Sequence, residues 1–138
     1  MTQRYTGFDG TELAWHEIGS GRPLLFLPGF GGQGSQLLRW GPATDIAAKG
    51  YRLLLPDFRG YGDSTTPGAA TAYPPDVLTE DALALVAFLG FGDGDYDLAG
   101  YSLGARVVLR MLARGATPRR AIAAGQGLAK VTGPQQAG

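Results

Sequence analysis

A serine attacks a carbonyl efficiently only when a base takes its proton and nearby N–H groups hold the oxyanion that forms. The segment Gly100-Tyr101-Ser102-Leu103-Gly104 presents such a serine. It lies between the short apolar run Asp97-Leu98-Ala99 and a helix-like stretch from Leu103 to Ala113. Gly-x-Ser-x-Gly in a strand–turn–helix context is the pattern of a nucleophile elbow. The turn is so tight that its positions two before and two after the serine must be small. A serine at a helix N-terminus also sits beside free backbone N–H groups and the positive end of the helix dipole.

Two further glycine-rich turns follow apolar runs. The first, Leu27-Pro28-Gly29-Phe30-Gly31-Gly32-Gln33-Gly34, admits two readings. Gly29-x-Gly31-x-x-Gly34 after a strand, with Asp57 ending the next one, has the form of a dinucleotide-binding fingerprint. The second turn, Asp57-Phe58-Arg59-Gly60-Tyr61-Gly62-Asp63-Ser64, favours the other reading. A ribose-binding acid gives no reason for a Gly-x-Gly turn directly after it.

These turns need elements to position them. Gln3–Phe8 and Glu12–Ile18 alternate as strands around the Asp9-Gly10 turn. Leu24–Leu27 and Tyr51–Leu55 are continuous apolar runs, expected as strands buried on both faces. A helix is expected over Ser35 to Lys49, interrupted at Gly41-Pro42. Another follows Asp76, which is expected to cap it, with Leu78, Ala82, Leu85, Val86 and Leu89 on one face. The helix from Leu103 should turn Val107, Val108, Met111 and Leu112 inward, and Arg119–Ala124 reads as a last strand. Strands alternating with helices predict an α/β fold, a mainly parallel sheet with flanking helices behind an N-terminal antiparallel hairpin. The whole chain, residues 1–138, reads as one domain.

Composition narrows the function classes. Twelve basic and twelve acidic residues give no global positive field, so nucleic acid is not an expected partner. No cysteine is present, which removes thiolate and cysteine–zinc chemistry. Gly and Pro make up 32 of 138 residues, about twice the usual share of roughly 12%. That excess is concentrated in the turns above and is not spread as low complexity. With no signal-like leader and no run long enough to span a bilayer, a cytoplasmic protein without membrane contact is expected.

Leu-Pro-Gly-Phe-Gly-Gly, Asp-x-Arg-Gly-x-Gly-x-Ser and Gly-Tyr-Ser-Leu-Gly stand here in the order and spacing of the α/β-hydrolase family. From Met1 to about Gly127 the chain resembles the N-terminal half of such an enzyme. The resemblance implies a serine hydrolase acting on an ester, amide or related small-molecule carbonyl, with no cofactor and no metal. By this resemblance Ser102 is the nucleophile, and the N–H groups of Leu103 and Phe30 are the oxyanion donors. Arg59, Gly60, Gly62 and Ser64 match a turn that is mostly structural in the family. Pro28 departs from the pattern, standing where many members have a histidine that helps anchor the oxyanion loop. A Ser nucleophile in place of Asp argues against dehalogenase-type chemistry.

The same resemblance requires an acid and then a histidine after the serine. Residues 98–138 contain no Asp, Glu or His and six basic residues, leaving the first 97 at −6. Arg106, Arg110 and Arg114 repeat every four residues, as expected for a solvated helix face. The single histidine, His16, falls in the hairpin, on a strand that the resemblance places away from the nucleophile, and is expected to have no catalytic role. Lys130 is a remote substitute. Three explanations stand: an inactive fragment of a complete hydrolase, a non-catalytic ligand-binding remnant, or half of a split enzyme. A chain ending after Arg119–Ala124 leaves an open parallel edge, and such edges promote pairing or aggregation. Expressed alone, it should be oligomeric or poorly soluble in sedimentation experiments; a monodisperse, cooperatively melting monomer would contradict this.

Overall fold

The structure, a computed structural model, describes residues 2–29, 43–65 and 76–125. Six strands form one mixed sheet: β1 Thr2–Thr6, β2 Glu12–Ile18, β3 Arg22–Leu27, β4 Tyr51–Pro56, β5 Asp97–Tyr101 and β6 Arg120–Ala124. Their spatial order is β1-β2-β4-β3-β5-β6. β1 and β2 form the hairpin, β2 runs antiparallel to β4, and β4, β3, β5 and β6 are mutually parallel. Among the described residues three helices accompany the sheet: α1 Ala43–Ala47, α2 Val77–Phe88 and α3 Leu103–Ala113. The α/β architecture is the one the sequence predicts. Most of the helix expected over Ser35–Lys49 lies outside the described residues.

Side-chain alternation along the central strands builds two apolar layers. Leu25, Leu27, Leu54 and Leu98 face α2 and α3, meeting Leu85, Val107, Val108 and Met111. Leu53 and Leu55 point the other way, toward Ala43 and Ile46 of α1. Leu112, expected inward, is 37% exposed, because the buried stripe of α3 passes through Val107, Val108 and Met111.

The Asp57–Ser64 turn has a structural task. Arg59 is fully buried and forks onto Asp81 of α2 at 2.6 and 2.7 Å. Two more of its N–H groups reach Asp9 of the hairpin turn at 2.9 and 3.0 Å. The Phe8 ring covers the guanidinium, 5.4 Å from its centroid. One cation therefore ties β4, α2 and the hairpin together. Arg59 holds the Asp9 carboxyl well below its ordinary range, whereas burial pushes the Asp81 carboxyl up against the pull of the same arginine. Breaking a buried pair on one side typically costs about 3–5 kcal/mol, a large share of a small domain's stability.

Asp76 corrects an expectation. It occupies the N-cap position of α2 with its carbonyl accepting from Glu80 N–H, but its side chain does not cap the helix. The carboxylate turns to α3, taking Nε and Nη2 of Arg110 and Nη1 of Arg114 at 2.9–3.0 Å. These bonds, Arg110 foremost, lower its pKa to about 2. The arginine stripe is thus no merely solvated face, since two of its members clamp α3 to α2.

β6 is the last strand of the order, and four of its five residues are exposed, with Ile122 at 63%. At the opposite end of β5 from the serine, Asp97 is held by Arg22 at 3.1 Å and Arg119 at 3.3 Å. Those pairs pin the N-terminal ends of β3, β5 and β6.

Candidate active site

Ser102 joins β5 to α3 with φ 58° and ψ −114°, a conformation that side-chain-bearing residues avoid. Such a backbone costs of order 1–3 kcal/mol and persists only where its surroundings impose it. Here three contacts impose it. A Cβ on Gly104 would overlap the carbonyl oxygen of Leu27 and sit 2.6 Å from that of Pro28, so α3 lies directly against the end of β3. A Cβ on Gly100 would overlap the Gly104 carbonyl. The Ser102 N–H donates to the Ala124 carbonyl at 3.0 Å, tying the turn to β6. The two glycines of Gly-x-Ser-x-Gly are thus present because backbone fills the space their side chains would need.

The serine is partly exposed, and no side chain among the described residues bonds its hydroxyl. Its carbonyl accepts from Ala105 and Arg106 N–H, opening α3. Leu103 N–H occupies the first helical position, where no acceptor exists within the helix. That position leaves it available to a group outside the helix. Phe30, the other expected donor, lies outside the described residues. The residue before it does not: Gly29 packs under the Tyr101 ring, whose Cδ2 would be 2.8 Å from a Cβ there. The loop after β3 therefore leaves the sheet beside the elbow.

No base or acid accompanies the serine among the described residues. His16 sits on β2, separated from β5 by β4 and β3, about 14 Å at the usual strand spacing. It is buried, with Nε2 2.7 Å from Oδ2 of Asp57 and 3.7 Å from Oδ2 of Asp63, and Nδ1 3.1 Å from Thr2 Oγ1. Asp97 stands at the far end of β5. Lys130 lies outside the described residues.

The His16–Asp57 pair was not visible in the sequence, because the two residues are 41 positions apart and meet only through the β2–β4 register. His16, Asp57 and Asp63 have donor atoms within 4.8 Å of one another. Those donors already serve each other and the backbone: Asp57 Oδ2 also accepts from Asp63 N–H at 2.9 Å. Ser64 Oγ donates to the Asp57 carbonyl and accepts from Ala14 N–H, so the turn is bonded into the hairpin. Asp57 has no exposed side-chain surface, which removes it as the ribose ligand of a dinucleotide site.

Comparison with known proteins agrees with this fold. Residues 22–124 match the family model described as alpha/beta hydrolase fold. The chain is 36% identical over 113 residues to a non-heme haloperoxidase of Rhodococcus erythropolis, covering 79% of this chain and 38% of that protein. Among solved structures it resembles an epoxide hydrolase from Vigna radiata, with TM-score 0.75, 28% identity, and 88% and 37% of the two chains covered. An esterase from Exiguobacterium antarcticum gives TM-score 0.74 at 25% identity, over 87% and 42%. The chain spans less than half the length of each relative.

Gly104→Ala should destabilise the fold by about 1–3 kcal/mol in urea titrations, since the added methyl meets backbone that cannot turn aside. Gly90→Ala, whose Cβ would meet open space, should cost only the roughly 1 kcal/mol of a left-handed residue. Equal losses would show that the α3–β3 approach is loose.

Proposed function

The chain belongs to the alpha/beta hydrolase fold family, and on that premise we propose that it carries the nucleophile and oxyanion half of a serine hydrolase. Ser102 Oγ adds to the carbonyl carbon of an ester, amide or related small molecule while a base removes its proton. The carbonyl π pair moves onto oxygen, where Leu103 N–H and Phe30 N–H receive it. Collapse of the intermediate expels the leaving group, which takes the proton back, and water then releases the acid from the acyl-serine. The single observation that supports this reading is the strained backbone of Ser102 at the start of α3, φ 58° and ψ −114°.

The proton-transfer pair is proposed to come from polypeptide beyond these 138 residues. Residues 98–138 contain no acid and no histidine, and His16 is engaged elsewhere. The domain is therefore read as an incomplete hydrolase core, inactive alone. The lack of a base near Ser102 among the described residues also favours a second reading, a non-catalytic small-ligand binder on the same scaffold.

Coding sequence downstream of Gly138 that supplies an in-frame Asp and His distinguishes the two. A chain extended through it should hydrolyse p-nitrophenyl esters, and Ser102→Ala should lower kcat by about a thousandfold or more. The 138-residue chain should show no burst. An extended chain that carries both residues and gains no esterase activity dependent on Ser102 would favour the binder.

A further inference from the structure

A groove of about 510 Å³ lies between the first turns of α2 and α3, at the end of the sheet that carries Ser102. This volume falls within the range of small-molecule sites. Its walls are mostly apolar: Val77 and Leu78 from α2, Leu103 and Val107 from α3. Thr79 also lines it and is 98% buried. Among the described residues the Thr79 hydroxyl has no hydrogen-bond partner. A buried hydroxyl without a partner is costly, so a group able to accept from it has an advantage there.

Arg106 is exposed at the rim and pairs with no carboxylate among the described residues. Its neighbours along the stripe are engaged: Arg110 and Arg114 hold Asp76, and Arg114 reaches Glu80 at 2.6 Å. Among the described residues the three guanidinium groups of the stripe thus share two carboxylates, which leaves one positive charge for a ligand. Asp76 turns toward α3, and its side chain makes no capping bond to the opening N–H groups of α2.

We propose that this groove binds a small amphiphile with an apolar body and one carboxylate. The body lies on Val77, Leu78, Leu103 and Val107; the carboxylate accepts from Arg106 and from the Thr79 hydroxyl. A single carboxylate matches Arg106, the member of the arginine stripe without a carboxylate partner among the described residues, whereas a doubly charged phosphate would be repelled by Asp76 and Glu80. The proposal stands apart from Ser102 chemistry and holds whether or not the serine reacts.

The test uses the 138-residue chain at micromolar concentration with 11-(dansylamino)undecanoic acid as fluorescent probe, displaced by octanoate or octan-1-ol. Octanoate should displace the probe saturably and octan-1-ol much less well. Arg106→Gln should weaken octanoate binding about fivefold, the upper range for an exposed charge pair. Thr79→Val should weaken it as well, while Arg120→Gln, on β6, should leave it unchanged. Equal competition by octan-1-ol, or an Arg106→Gln protein that binds octanoate as the parent does, overturns the proposal. Equal losses from Arg120→Gln also overturn it, since the probe would then be reading general charge. Matched melting temperatures confirm that the variants are folded.

Discussion

The close approach of α3 to the end of β3 is the constraint from which the site follows. The Leu27 and Pro28 carbonyls occupy the space a side chain at position 104 would fill, so that position must be glycine. Once the helix begins there, the chain has one residue in which to leave β5, and Ser102 takes the left-handed strain. Gly100 is bare for the same reason, with Gly104 backbone directly above it. The partly exposed serine and the placing of Leu103 N–H at the first helical position are therefore products of packing, and the same surroundings sustain the strain.

That core is fastened at both ends by charge. Below, Asp97 gathers Arg22 and Arg119, so the strands leading to the elbow start in fixed register. Above, Arg59 joins the turn after β4 to α2 and the hairpin, and His16 closes over Asp57. Asp76 then binds α2 to α3. Isolated exposed pairs of the last kind contribute little, but the buried fork of Arg59 is costly to break. Among the described residues the opposite edge has no comparable closure: β6 supports the elbow through the Ala124 carbonyl while Ile122 is 63% exposed.

The local features were legible in the sequence, and the long-range ones were not. Strand limits at Glu12–Ile18 and a helix from Leu103 to Ala113 follow directly from alternation, apolar periodicity and glycine punctuation. Gly100 and Gly104 were readable because steric exclusion at a tight turn depends on near neighbours. The partners of Arg59, Asp57 and Asp76 lie tens of residues away, and nothing in local pattern names them. Asp76 misled for an identifiable reason. An aspartate before a helix normally caps it, and here two arginines on another helix outcompete the backbone. Leu112 misled because helical spacing leaves the edge of an apolar stripe ambiguous by one residue.

The central claim is that this turn exists to present a nucleophile. The most direct measurement is the site of covalent attachment when a fluorophosphonate reacts with the chain extended through any coding sequence downstream of Gly138. Peptide mass spectrometry should place the phosphonyl group on Ser102, and Ser102→Ala should abolish labelling while the protein stays folded. An adduct on another residue, or labelling that survives Ser102→Ala, would contradict the account.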